Sequence, residues 1–140
     1  MQEFLVELSD NEFRALNHSH PDSGKSACVG ARAVAIVCLY AQKMNWKESP
    51  KRRGVDLAFT SANGALIELE VKGTAAKGMQ MQKLGVSGNP CYINLKNGMP
   101  LYRVSSVFTK TPTIHVMMYE IDYTMKTEKR WKIQRVNSKA

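Results

Sequence analysis

Between Ala65 and Lys72 the chain alternates: Ile67, Leu69 and Val71 are apolar, while Leu66, Glu68, Glu70 and Lys72 fall on the opposite side. That is the period-two geometry of a strand with one core face. Gly54 to Thr60 reads as a second strand, and Ser61-Ala62-Asn63-Gly64 is the turn between them. Upstream, Ala27 to Met44 predicts a helix bearing Val29, Ala33, Val34, Ile36, Val37, Leu39, Tyr40 and Ala41. With only Arg32, Gln42 and Lys43 to wet it, this helix is expected to be buried on more than one side, by the sheet and the rest of the chain or by a second subunit. Ser9-Asp10-Asn11-Glu12 has the form of a capping box opening a short helix through Phe13 and Leu16 that ends before Pro21. Downstream, Met79 to Leu84 reads as a helix start broken by Gly85 to Pro90. Tyr92 to Leu95, Leu101 to Phe108, Thr113 to Ile121 and Arg130 to Val136 read as strands, separated by turn signals at Asn97-Gly98 and Lys110-Thr111-Pro112. The fold class is α/β, with a mixed sheet packed on the long helix.

The charged face of the second hairpin strand needs a reason to exist. If Asn63-Gly64 forms a two-residue turn, Asp56 pairs with Val71 and faces away from Glu70. If Ala62-Asn63-Gly64 forms a three-residue loop with Gly64 left-handed, Ser61 pairs with Ala65 and Asp56 stands opposite Glu70. Cβ atoms so paired are about 4.5–5.5 Å apart. Two carboxylates that close repel unless a cation lies between them or one takes up a proton.

Gly54-Val55-Asp56-Leu57 followed by Glu70-Val71-Lys72-Gly73-Thr74 resembles the Asp…Glu-x-Lys signature of the PD-(D/E)xK nuclease superfamily. It is similar to a nuclease-like domain attached to many bacterial restriction and defence proteins, over roughly Ala27 to Phe108. The resemblance implies a restriction-endonuclease-like mixed sheet flanked by helices, and a metal-dependent DNA endonuclease. Asp56, Glu70 and Lys72 would be catalytic; Asp56, Glu70 and the Val71 carbonyl would hold Mg²⁺ or Mn²⁺. Related nucleases commonly carry a metal-holding glutamate on the long helix, a few residues after a glycine. Here Gly30 is followed by Ala31, Arg32, Ala33 and Val34, which keeps a second reading in view: a catalytically inactive nuclease-fold module that binds nucleic acid or a partner protein in a defence, recombination or transposition assembly. Glu68 either binds a second ion or pairs with Lys72.

Twenty Lys and Arg against twelve Asp and Glu give a net charge of +8, which suits a polyanionic partner when the charge borders a cleft. From Val71 to Tyr119 there is no acid, while Lys72, Lys77, Lys83, Lys96, Arg103 and Lys110 lie in that span. Lys51, Arg52 and Arg53, just before Asp56, together with Lys77 and Lys83, are the candidate DNA contacts. Gln80 and Gln82 are surface residues or base readers. His18 and His20 lie in a breaker-rich loop with no third ligand nearby, and His115 reads as a solvent-facing strand residue. The length suits a single domain, residues 1–140, with a basic segment from about Lys126 to Lys139 that embraces nucleic acid or trails in solvent. Cys28, Cys38 and Cys91, without any C-x-x-C spacing, suit buried free thiols in a reducing cytoplasm rather than a zinc site. No signal peptide or spanning segment is visible in the sequence, so a cytoplasmic place is expected. DNA is the expected partner; a homodimer or partner protein through residues 27–44 is left open.

Overall fold

The computed structural model describes residues 1–81, 84–127 and 133–136. The elements run β1 (Gln2–Leu5), α1 (Asp10–Ser19), α2 (Ser26–Lys43), β2 (Lys47–Glu48), β3 (Leu57–Thr60), β4 (Leu66–Gly73), α3 (Asn89–Lys96), β5 (Leu101–Ser105) and β6 (Thr113–Met117). Six strands form one sheet in the order β1-β6-β5-β4-β3-β2. Neighbours are antiparallel except β4 and β5, which are parallel. A parallel pair needs a crossover, and α3 lies in it.

Helices cover the sheet on both faces. On one, Ala33, Ile36, Val37 and Ala41 of α2 pack with Phe59, Leu69, Val71, Tyr102, Val104 and Ile114. Gly73 permits this approach: a Cβ there would sit 2.6 Å from the Ala33 Cβ and 3.0 Å from the Val29 carbonyl oxygen. The capping box holds, with Glu12 N–H donating to Ser9 Oγ at 3.1 Å and Ser9 N–H to Glu12 Oε1 at 2.9 Å. On the opposite face a smaller core joins Val55, Ala58, Cys91, Leu95, Met99, Leu101 and Met117. The side of β4 that carries the charges is therefore roofed by α3.

Several expectations are corrected. Tyr92 to Leu95 belongs to α3, not to a strand. Four residues are too few to fix a period, and the buried Cys91, Asn94 and Leu95 recur at helical spacing behind a Pro in the first turn. Met79 to Met81 and Leu84 are not helical, and the later strands stop at Ser105 and Met117. Of the expected strand Arg130 to Val136, residues 130–132 lie outside the described residues and 133–136 are not strand. Both sheet edges, β1 and β2, are short and lacked a readable alternation.

Arg32, expected to wet α2, is 0% exposed. Its guanidinium donates to the Val107 carbonyl, to Asn17 Oδ1 at 2.9 Å and to the His20 carbonyl at 3.0 Å, between the rings of Phe13 and Phe108. It ties α1, α2 and the β5–β6 loop together, which a hydropathy pattern scores as a polar gap. His115, expected to face solvent, is 4% exposed and lies near Ser105 Oγ and Glu3 Oε1, each at 3.2 Å. Cys91 is buried, whereas Cys28 and Cys38 are only half-buried; all three are free thiols. No helix among the described residues is long and apolar enough to cross a membrane.

Candidate active site

The β3–β4 turn sets the site. Ser61 N–H donates to the Ala65 carbonyl and Gly64 N–H to the Ser61 carbonyl, both at 2.9 Å, and Gly64 has φ +84°. This is the three-residue loop, with glycine in the left-handed conformation it adopts at least cost. The register puts Leu57 opposite Leu69, and Asp56, one residue before β3, donates its N–H to the Leu69 carbonyl at 3.1 Å, which brings it beside Glu70. Their carboxyls lie close enough for Asp56 to help hold the Glu70 carboxyl above its usual range. Asp56 Oδ2 also accepts from the Val71 N–H at 2.8 Å.

Glu70 is 2% exposed. Its Oε2 accepts from the Cys91 thiol, and Lys72 Nζ lies 3.9 Å from its Oε1. Burial pushes its carboxyl up to about 7; the neighbouring Asp56 carboxyl adds to this, while the Cys91 thiol and the Lys72 ammonium oppose it. One proton shared between two carboxyls is the usual outcome when no cation separates them. Burial and the neighbouring carboxylate raise the Cys91 thiol to about 11, so it remains a donor.

Two carboxylates make a hard-oxygen donor set, and the Val71 carbonyl leaves β4 on the same side as its N–H, toward Asp56. Mg²⁺ typically takes one or two carboxylates and completes its shell with waters and substrate oxygens, so these residues fit such an ion. Among the described residues no group of three or more His, Cys, Asp or Glu converges on a metal position. Ala33 of α2 packs on Gly73, on the sheet face turned away from Glu70. An acid at that position would point into the core rather than at the carboxylates.

The cations before Asp56 are less free than the sequence implies. Arg52 Nε donates to both Glu68 oxygens, at 3.1 and 2.9 Å, and its Nη1 donates to Asn94 Oδ1 at 2.7 Å. Asn94 Nδ2 in turn donates to the carbonyls of Arg53 and Gly54, at 3.2 and 3.1 Å. Glu68 is thus paired with Arg52 rather than with Lys72. Gly54, at φ +81°, has no room for a side chain: a Cβ would come 2.5 Å from the Pro90 carbonyl carbon. The loop carrying Asp56 is clipped to the start of α3 by these contacts. Lys51 Nζ donates to the Asp56 carbonyl at 3.2 Å. Lys51, Arg53 and Lys77 are exposed; Lys83 and Gln82 lie outside the described residues.

Above Glu70 opens a cleft of about 1310 Å³ whose lining also includes Lys72, Cys91, Tyr92 and Tyr123. Asp56 does not line it. Arg103 shapes its border by donating to the Gly73 and Gln80 carbonyls, at 2.8 and 2.9 Å, which fixes the loop after β4. Cys91 and Tyr123 carry no sequence signal as site residues, because each reaches Glu70's surroundings only through the crossover and the turn after β6. No protein-family model, curated protein or solved structure matches this chain.

Proposed function

We propose that the chain is a metal-dependent endonuclease of the PD-(D/E)xK kind, with a restriction-endonuclease-like fold, that hydrolyses phosphodiester bonds in DNA. The observation carrying this reading is the meeting of Asp56 and Glu70 on one sheet face, with Lys72 next along that face at a cleft. The mixed sheet with helices on both faces supports it. Asp56, Glu70 and the Val71 carbonyl would hold Mg²⁺ or Mn²⁺, which when bound polarises a phosphoryl oxygen and acidifies a water. Glu70 keeps its orientation through the Cys91 thiol on Oε2, which leaves Oε1 on the Lys72 side. Lys72, partly exposed, orients the attacking water or steadies charge developing on the phosphoryl oxygens. The exposed Lys51, Arg53 and Lys77 contribute the sequence-independent attraction that phosphates offer.

A second reading, a module that binds nucleic acid without cutting it, is favoured by one observation. The described residues offer no group of three or more His, Cys, Asp or Glu that could hold a metal ion. The test is incubation with supercoiled, linear, single-stranded and branched DNA in Mg²⁺, in Mn²⁺ and in chelator. The nuclease reading expects cleavage that needs the ion and is lost in Asp56→Asn and Glu70→Gln. Salt-sensitive binding with no cleavage under either ion selects the second reading.

A further inference from the structure

The walls of the cleft are of a kind that phosphate recognition alone does not explain. Met81, Leu84, Val86, Tyr92 and Met125 line it around a floor that includes Glu70 and Lys72. Met81 is 37%, Tyr92 38% and Val86 41% exposed. Apolar side chains left in water around a concave polar floor mark a surface that gains by being covered. Of the charged residues lining the cleft, Lys72 and Lys126 are cations, while Asp122 is paired with the N-terminal ammonium at 3.5 Å; Lys96 Nζ lies 5.8 Å from the centroid of the Tyr92 ring. A ligand matching both features has flat, weakly hydrated faces and carries negative charge. An unpaired nucleotide has both. In a duplex the base faces are stacked on one another and only groove edges and phosphates remain, whereas a single strand offers each face to an aromatic side chain. Glu70, almost wholly buried, lines the cleft together with these walls, and an unstacked strand enters such a cleft more readily than a rigid duplex.

Tyr123 adds an independent observation. It lines the cleft, and its hydroxyl oxygen is buried without a hydrogen-bond partner among the described residues. The ring is not loose. It stands edge-on to Tyr119 at 6.1 Å and 67°, and Glu120 N–H donates to the Tyr123 carbonyl at 2.8 Å. The same turn is closed by Asp122 N–H to the Met118 carbonyl at 2.9 Å and Met118 N–H to Asp122 Oδ2 at 2.8 Å. A fixed, buried hydroxyl left unpaired is costly, and the cost disappears when a ligand supplies the missing partner.

We infer that the cleft takes an unpaired nucleotide of single-stranded or locally unpaired DNA, with the base stacked on Tyr92 and a base-edge or phosphate oxygen accepting from the Tyr123 hydroxyl. The inference rests on the reading of the cleft as a nucleic-acid site, but not on that site's being able to cut.

The test is fluorescence anisotropy in chelator, where nothing is cleaved. It uses a thymidine oligonucleotide of about twelve residues, within the usual span of single-strand sites, and a blunt duplex of similar length. The single strand is expected to bind about tenfold or more tightly than the duplex at equal salt. Tyr92→Ala should lower single-strand affinity on the order of tenfold, the size of one lost stacking contact, and leave duplex affinity unchanged. Tyr123→Phe, which keeps the ring, should lower it several-fold with an unfolding midpoint equal to or above that of the wild type. Equal affinity for the two probes, no binding of either, or wild-type single-strand affinity in either variant overturns the inference. Single-strand binding as expected, followed by no cleavage on adding Mg²⁺ or Mn²⁺, removes the nuclease reading and leaves this one standing.

Discussion

Asp56, one residue before β3, stands beside Glu70 of β4, and burial together with this neighbour lifts the Glu70 carboxyl to about 7, so that Glu70 carries a proton in about half of the molecules at neutral pH. The cost of removing it falls on the fold. Glu70 titrates near 4.5 when unconstrained and at about 7 here. Below pH 4.5 it is protonated in both the folded and unfolded chain. Between 4.5 and about 7 the folded chain binds the extra proton, so stability declines as pH rises through this window, by on the order of 3 kcal/mol in all. Urea unfolding in chelator should show that decline in the wild type. In Glu70→Gln the decline should be much smaller, leaving the variant more stable than wild type at pH 8 and not at pH 4.5. Parallel pH profiles for the two proteins would locate the titration elsewhere.

Below about pH 7 a cation that binds this pair has to displace the proton on Glu70, whereas at pH 8 little proton competes. Mg²⁺ should therefore raise the unfolding midpoint of the wild type at pH 8, with about 2.7 kcal/mol of stabilisation at a hundredfold excess over its dissociation constant. Its apparent affinity should fall by close to tenfold for each pH unit below about 7. Glu70→Gln should lose the Mg²⁺ response. A wild-type midpoint that ignores Mg²⁺ and Mn²⁺ at pH 8 would show that the pair holds no such ion.

Gly73 is a packing requirement rather than a turn. Gly73→Ala would press a methyl into the Ala33 Cβ at 2.6 Å and the Val29 carbonyl at 3.0 Å, an overpacking expected to cost about 1–3 kcal/mol. Ala33→Gly removes the nearer of the two atoms. In the double variant part of the loss should return, a coupling that independent sites do not show. Simple additivity in thermal unfolding would mean that α2 does not cross β4 at this point.

The hairpin and long helix were legible because their periods run over enough residues: eight in β4 and eighteen in α2. The turn was not decided by its residues, since Asn63-Gly64 serves a two-residue or a three-residue loop. The hydrogen bond from Ser61 to Ala65 settles the register of β3 against β4, and the Asp56 N–H on the Leu69 carbonyl then brings Asp56 beside Glu70. The other half of the site was hidden for a different reason. Cys91 stands under Glu70 because α3 crosses between two parallel strands, and Tyr123 reaches the cleft from a turn beyond β6. Both are long-range consequences of topology. Arg52 looked like a phosphate contact because a run of three cations says nothing about which of them is already paired.

That pairing is testable against its neighbours. Each cation that contacts a DNA phosphate adds close to one unit to the slope of log affinity against log salt. Arg53→Ala and Lys51→Ala should each reduce the slope by about one. Arg52→Ala should leave the slope nearly unchanged and lower the unfolding midpoint instead, because it releases Glu68 and Asn94. Arg52→Ala and Glu68→Ala should also be non-additive for stability. A full unit of slope lost in Arg52→Ala would show that the arginine leaves Glu68 when DNA binds.

Lys72 separates the enzyme from the binding module where the acids do not. Replacing Asp56 or Glu70 takes negative charge from a basic protein, so DNA binding should be kept or tightened whether or not the protein cuts. Lys72→Ala takes one positive charge and should cost at most about one unit of salt slope. Its Nζ is 3.9 Å from Glu70 Oε1 and lines the cleft, within reach of a water or phosphoryl oxygen held beside that carboxylate. Orienting an attacking water is a task whose loss usually lowers the rate by about 10² or more. Single-turnover cleavage with all DNA bound should therefore slow by that factor while binding barely changes. Unchanged single-turnover cleavage would place the active residues elsewhere and remove the Glu-x-Lys assignment. A loss of binding and of rate in equal proportion would make Lys72 a phosphate contact and nothing more.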